Sequence, residues 1–134
     1  MNRTETTKFL GELLERQYLR GLGKHWAKEV SIDPGSARTH RRIDYMLFQP
    51  AGQCNISDIE KGIFTCYEIK SCREDVFSGN GLNFIGEKNY IVTTMQCYKD
   101  IKEDSGRDGR RGRQQKKRME TGTGRHMVNC TINF

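Results

Sequence analysis

Residues 62–71 read GIFTCYEIKS, and this stretch decides the fold because it has the composition of a buried strand with a charged end. β-Branched and aromatic residues fill it, and Gly62 marks its start. Side chains alternate along a strand, so Glu68 and Lys70 share one face while Ile69 lies on the other. Both faces are largely apolar up to the charged end, which is typical of a strand covered on both sides. The stretch therefore predicts a central strand that ends in a polar cluster.

A second strand is predicted directly before it along the chain, in RRIDYMLFQP at residues 41–50, which Pro50 closes. The two strands are well placed to pair as an antiparallel hairpin across the link AGQCNISDIEK. The beginning of one strand then meets the end of the other, so residues near 44 lie opposite residues near 68. Asp44 and Glu68 are predicted to be neighbours.

The remaining pattern alternates helices and strands, as in an α/β domain. Apolar residues at three- and four-residue spacings predict an amphipathic helix within residues 4–23, with Thr4 or Thr6 as its cap. We also predict a strand at 25–32, a helical turn at 72–77, a strand at 89–94 and a helix capped by Thr93 or Thr94. The final MVNCTINF alternates as an edge strand would.

Charge divides the 134-residue chain into two parts. Residues 1–104 hold 15 Lys and Arg against 15 Asp and Glu, whereas residues 105–134 hold 8 against 2. We therefore predict one folded domain at 1–104 and a basic, flexible C-terminal tail at 105–134 with no structure of its own. A tail of this kind favours polyanions such as nucleic acid, and it is equally compatible with a solvated end.

Cysteine spacing and hydropathy restrict the location of the protein. The five cysteines contain no C-x-x-C pair, which argues against a structural zinc site. The first twenty residues lack the apolar core of a signal peptide, and no apolar run reaches membrane-spanning length. We expect a cytoplasmic protein with free thiols and no membrane partner.

The predicted polar cluster has the residue types of a metal-dependent hydrolase. Mg²⁺ takes oxygen ligands, usually one or two carboxylates with waters and substrate phosphate oxygens, and Asp44 with Glu68 could supply that pair. Lys70 could position the attacking water, and Glu29 could complete the acidic shell. A cross-strand ion pair at the rim of the sheet, joining Asp44 or Glu68 to Lys70 or Arg42, is the alternative, and spacing alone slightly favours it.

Two segments carry a resemblance to a known family. RRIDYMLF, followed by FTCYEIKSCREDVFSGNGLNFIGEKNYIVT, resembles the PD-(D/E)XK nuclease superfamily, and most closely MmcB-like DNA repair proteins and related phage and prophage proteins. The resemblance spans about residues 24–99. It implies a restriction-endonuclease-like core with a central mixed four-stranded sheet flanked by helices. The tail is foreign to the pattern of these relatives.

The resemblance also implies roles for individual residues. Asp44, Glu68 and Lys70 match the D…E-x-K signature, and Glu29 resembles an additional upstream glutamate. The peptide carbonyl after Glu68, that of Ile69, would be a further metal ligand.

We therefore expect a Mg²⁺- or Mn²⁺-dependent nuclease that hydrolyses DNA phosphodiester bonds in phage or bacterial repair or recombination, in the cytoplasm of a bacterial host. The alternatives are a catalytically inactive nucleic-acid-binding module and a phage interaction protein with a structural ion pair. The basic residues expected to contact nucleic acid are Arg73, Lys88, Arg110, Arg111, Arg113, Lys116, Lys117 and Arg118.

Overall fold

A mixed β-sheet organises the chain in the computed structural model, which describes residues 2–32, 41–53, 55–78, 82–107 and 130–131. The strands are β1 (His25–Ile32), β2 (Arg41–Gln49), β3 (Ile63–Ile69), β4 (Lys88–Thr93) and β5 (Cys130–Thr131). The helices are α1 (Arg3–Leu14), α2 (Ile56–Glu60), α3 (Arg73–Phe77) and α4 (Met95–Arg107). The α/β class and the four main predicted strands are confirmed.

The strands lie in the order in which they follow along the chain, β1-β2-β3-β4-β5. β1, β2 and β3 are antiparallel neighbours, whereas β4 runs parallel to β3, so the sheet is mixed as predicted. Tyr45 pairs with Tyr67 in the β2–β3 hairpin, which places position 44 opposite position 68. The predicted register is confirmed. β5 adds two residues in parallel beside β4, within the predicted edge strand.

The first helix begins at Arg3, two residues earlier than a cap at Thr4 would allow. Asn2, and not Thr4 or Thr6, is the cap: its side chain accepts from the Glu5 N–H, and the Glu5 carboxylate accepts from the Asn2 N–H. This reciprocal capping box satisfies two of the N–H groups that a helix start leaves free. After Leu14 the helix continues as one π-helical turn, Glu15–Leu19.

The main core lies between α1 and one face of the sheet. Leu10, Leu14 and Leu19 are fully buried there against Tyr45, Tyr67 and other strand residues, and each such side chain contributes roughly 1.5–3 kcal/mol by leaving water. Gly11 permits this close approach, since a Cβ at that position would lie 2.7 Å from the Tyr45 hydroxyl oxygen.

The C-terminal helix starts at a predicted cap and runs past a predicted boundary. The Thr94 hydroxyl accepts from the Cys97 N–H at 3.2 Å, so Thr94 is the cap. α4 then continues to Arg107, so it includes the first three residues of the predicted tail, 105–107. The rest of that tail, apart from residues 130–131, lies outside the described residues. Among the helices described, none is long and apolar enough to cross a membrane.

Candidate functional site

Asp44 and Glu68 meet at the C-terminal end of β3. The last pair of the β2–β3 ladder at this end is Tyr45 with Tyr67. Beyond it the Ile69 N–H donates to Asp44 Oδ2 at 2.8 Å. A side-chain carboxylate has thus taken the place of a ladder acceptor, and it fixes Asp44 beside Glu68, as the sequence predicted.

Glu68 is a buried carboxyl group with an unusual proton affinity. Only 3% of the residue is exposed. Burial, the neighbouring charge of Asp44 and a hydrogen bond between the two carboxyl groups together raise the pKa of Glu68 to about 8, although Lys70 and a hydrogen bond with Asn83 act in the opposite direction. Within the described part of the chain, Glu68 Oε1 has no hydrogen-bond partner. A buried carboxyl oxygen without a partner is costly, so it marks a place where a ligand would be favourable.

Lys70 is held by the strand next to it. Its N–H donates to the Val92 carbonyl at 2.9 Å, and its own carbonyl accepts from the Thr93 hydroxyl at 2.7 Å. The side chain is buried, and Lys70 Nζ lies 4.0 Å from Asp75 Oδ1 in α3. β4 and α3 therefore fix the ammonium group beside the two carboxyl groups.

Asp75 connects Lys70 to α1, at the beginning of the chain. Its Oδ1 atom lies 2.7 Å from a terminal nitrogen of Arg3, the first residue of α1. The Arg3 side chain is 63% exposed, so its guanidinium group keeps access to solvent. One carboxylate oxygen is thus within ion-pair distance of two cations.

These residues line a cleft of about 450 Å³. Its basic residues are Arg3, Arg41, Arg42 and Lys70, and its acidic residues are Asp44, Glu68 and Asp75. Thr7, Ile69 and Asn83 complete the lining. Among the described lining residues, positive charge therefore exceeds negative charge even when every carboxyl group is ionised, and the raised pKa of Glu68 increases this excess. Sequence patterns did not identify Arg3, Thr7, Arg41 or Asn83 as members of this site, since three separate segments contribute them.

The loop at residues 82–87 covers part of the cluster. The Asn89 side chain holds it by accepting from the Gly86 N–H and donating to the Gly86 carbonyl. Gly86 allows the loop to lie against Cys66, because a Cβ there would be 2.9 Å from the cysteine sulfur. Asn83, near the start of the loop, donates to the Arg42 carbonyl at 3.0 Å. The loop thereby places the Asn83 amide beside Glu68.

Glu29 lies near this region without lining the cleft. The register on either side places it across from Asp44, between the pairs Lys28 with Tyr45 and Val30 with Ile43. Its backbone has a φ of 54°, a left-handed conformation that interrupts the regular strand, and the residue is exposed. The carboxylate predicted to complete the acidic shell is therefore not among the residues that line the cleft.

Of the basic residues expected to contact nucleic acid, the two that the structure describes, Arg73 and Lys88, do not line the cleft. Arg73 packs its guanidinium group over the Phe77 ring at 5.1 Å. Lys88 is paired with Thr65 at the start of β4, on the sheet face opposite to Glu68. The six tail residues named above lie outside the described residues.

The donor set is compatible with a hard divalent cation. Two carboxyl groups stand side by side, one of them with an unpartnered buried oxygen, and Ile69 borders the same cleft. Mg²⁺ binds to one or two carboxylates and keeps several waters. The described residues contain no cluster of three or more His, Cys, Asp or Glu side chains able to hold a metal ion. A bound cation would thus be coordinated by two side chains and completed by backbone, water or substrate oxygens.

Comparisons with known proteins add no relative to this description. The chain matches no protein-family model, no curated protein and no solved structure. The restriction-endonuclease-like assignment therefore stays a prediction from the sequence, while the α/β fold with a mixed sheet rests on the structure.

Proposed function

We propose that this protein is a Mg²⁺- or Mn²⁺-dependent nuclease that hydrolyses phosphodiester bonds of DNA. The observation that carries the proposal is the buried, unpartnered oxygen of Glu68, which lies beside Asp44 and Lys70 in a cleft of net positive charge. An apolar ligand would leave that oxygen unsatisfied, whereas a cation would satisfy it and would also offset the repulsion between the two carboxyl groups. The basic residues around it favour an anionic substrate.

Each member of the cluster has a role in this proposal. Asp44, Glu68 and the Ile69 carbonyl would hold the cation, which would polarise a phosphoryl oxygen and lower the pKa of a bound water. The Lys70 ammonium would orient the attacking water and offset the negative charge that develops on the phosphoryl oxygens. Its buried position, fixed by β4, would keep that charge in place throughout the reaction. Repair or recombination in a phage or bacterium is the setting that the sequence resemblance implies.

The test is cleavage of single- and double-stranded DNA in Mg²⁺, Mn²⁺ or EDTA. We expect metal-dependent cleavage by the wild type and a loss of at least 100-fold in Glu68→Gln, because removing a group that stabilises the transition state costs this much or more. Glu60→Gln, which changes an exposed glutamate in α2, is the matched control and should retain full activity. Equal cleavage by wild type and Glu68→Gln from one preparation would refute the proposal.

The same assay decides the role of Glu29. Because its exposed carboxylate does not line the cleft, we expect Glu29→Gln to cleave within a few-fold of the wild-type rate. A loss as large as that of Glu68→Gln would show that Glu29 joins the acidic shell during turnover.

A second candidate is a nucleic-acid-binding module without catalysis. It is favoured by the basic lining of the cleft and by the finding that, among the described residues, no three His, Cys, Asp or Glu side chains are grouped to hold a metal ion. This alternative predicts salt-dependent binding of DNA that persists in EDTA, with no turnover in either metal.

A further inference from the structure

Three arginines line the cleft, and the catalytic proposal gives none of them an individual role. Arg3 comes from the first turn of α1, while Arg41 and Arg42 open β2; we call this set the arginine wall. All three residues are exposed, and they border the same cleft as Asp44, Glu68 and Lys70. The wall thus offers three guanidinium groups in the same cleft as the carboxyl groups.

Two contacts hold the wall in position. Asp75 pairs with Arg3 at 2.7 Å, and the Asn83 amide donates to the Arg42 carbonyl at 3.0 Å. These contacts tie the start of α1 to α3 and the start of β2 to the loop at 82–87. The first contact orients the Arg3 guanidinium group, which therefore loses less entropy when it binds an anion, whereas the second fixes the main chain of Arg42.

The charge of the arginine side chains and the geometry of their N–H donors favour a phosphate group. Arginine presents parallel N–H donors that match two oxygens of a phosphate, and such paired, charged hydrogen bonds are among the strongest in proteins. The cleft volume of about 450 Å³ exceeds what a single phosphate needs, so it leaves room for a neighbouring nucleotide.

We infer that the arginine wall is a phosphate subsite, which binds a polynucleotide phosphate next to the one held at Asp44, Glu68 and Lys70. The assignment of the neighbouring position rests on the proposed function, whereas binding of a phosphate to the wall does not. Asp75 links the two positions, because its Oδ1 atom contacts Arg3 and lies 4.0 Å from Lys70 Nζ. A phosphate that engages Arg3 therefore changes the environment of Lys70 through a single carboxylate.

The experiment compares dinucleotides with and without a terminal phosphate. Thymidine dinucleotides carrying a 5′-phosphate, a 3′-phosphate or neither are titrated into the full-length protein in EDTA, with binding followed by NMR. We expect a terminal phosphate at one end to tighten binding about 10-fold, the effect of one good charged hydrogen-bond pair. That gain should disappear in Arg42→Gln and in Arg3→Gln.

Arg20→Gln is the matched control, because Arg20 is exposed just after the π-helical turn, at the other end of the α1 segment. The Arg20→Gln variant loses the same charge but should still bind the phosphorylated dinucleotide about 10-fold more tightly than the unphosphorylated one. Arg3→Gln breaks the ion pair with Asp75, so thermal unfolding is measured for every variant; Arg42→Gln changes an exposed side chain and tests the subsite if Arg3→Gln unfolds.

Three results would overturn the inference. They are equal affinity for dinucleotides with and without a terminal phosphate, an unchanged affinity gain from the phosphate in Arg42→Gln, and a loss of that affinity gain in Arg20→Gln as large as in Arg42→Gln. Competition by hexaglutamate as strong as that by the phosphorylated dinucleotide would also overturn it, since this would indicate an unselective basic surface. Because binding is measured without metal, these results do not depend on cleavage. A protein that cleaves DNA but shows no gain would refute the subsite and leave the proposed function intact.

Discussion

The substitution Glu68→Gln should stabilise the folded protein at high pH, which is an unusual expectation for a buried polar residue. In the folded state, burial and the charge of Asp44 raise the pKa of Glu68 from 4.5 to about 8. An unfolded chain loses the Glu68 proton at the lower value. Between these two pH values the folded state binds more protons than the unfolded state, so the free energy of unfolding falls as the pH rises.

The magnitude follows from the size of the shift. The stabilising effect of the protonated group is fully present below about pH 4.5 and is lost progressively up to about pH 8. At about 1.4 kcal/mol per unit, the shift corresponds to a loss on the order of 5 kcal/mol. Glutamine has the same shape and does not ionise, so Glu68→Gln should avoid most of this loss.

Urea unfolding of the wild type and Glu68→Gln at pH 5, 7 and 9 in EDTA provides the measurement. The stability of the variant relative to the wild type should increase by several kcal/mol from pH 5 to pH 9. Any lost hydrogen bond with Asp44 or Asn83 adds a constant offset that does not depend on pH. Glu60→Gln serves again as the control, with no comparable trend. A relative stability that stays constant within about 1 kcal/mol over this range would refute the reasoning, since it would mean that Glu68 titrates normally.

Three further predictions concern the rest of the fold. Gly11→Ala should destabilise the protein by about 1–3 kcal/mol despite the better helix propensity of alanine, because the new Cβ meets the Tyr45 hydroxyl. In a Tyr45→Phe background, urea unfolding should show a smaller loss of stability from the same substitution. Asn2→Ala removes the capping box and should lower the free energy of unfolding by about 1 kcal/mol in the same assay. At pH 8, a thiol reagent should modify the partly exposed Cys72 well before Cys66, because burial raises the pKa of the Cys66 thiol to about 11. Peptide mapping measures the two rates, and equal rates would contradict the burial of Cys66.

The sequence predicted the sheet because strand signals are local. Alternation and β-branched composition located β1, β2, β3 and β4, and chain direction alone gave the antiparallel register that joins Asp44 to Glu68. Two local details were predicted incorrectly or not at all. The cap at Asn2 depends on a reciprocal contact with Glu5, which competes with the two threonines that follow it closely. The short helix α2 within the β2–β3 link has no buried residue and hence leaves no apolar periodicity to recognise.

The lining of the site could be predicted only where it belongs to one hairpin. Asp44, Glu68 and Lys70 come from paired strands, so strand geometry brings them together. Arg3 and Asn83 reach the same cleft from the first helix and from a loop held by Asn89. Their positions depend on how α1 and the loop pack against the sheet, and no periodicity encodes that packing. The left-handed backbone of Glu29 likewise belongs to the folded strand, so alternation alone assigned that side chain to a regular position.

The balance of forces on Glu68 distinguishes the candidate roles of the cluster. A structural ion pair with Lys70 would keep Glu68 charged and hold its pKa below the ordinary value. Burial and the repulsion from Asp44 instead outweigh the attraction of Lys70, and the pKa rises. A glutamine at this position would relieve the same repulsion without ionising, so stability alone gives no reason for a carboxyl group here. A cation between Asp44 and Glu68 would reverse both unfavourable effects, since it turns the repulsion between two carboxylates into two attractions and provides a partner for the buried oxygen. The arrangement is therefore more readily explained as a ligand site than as a structural element of the sheet.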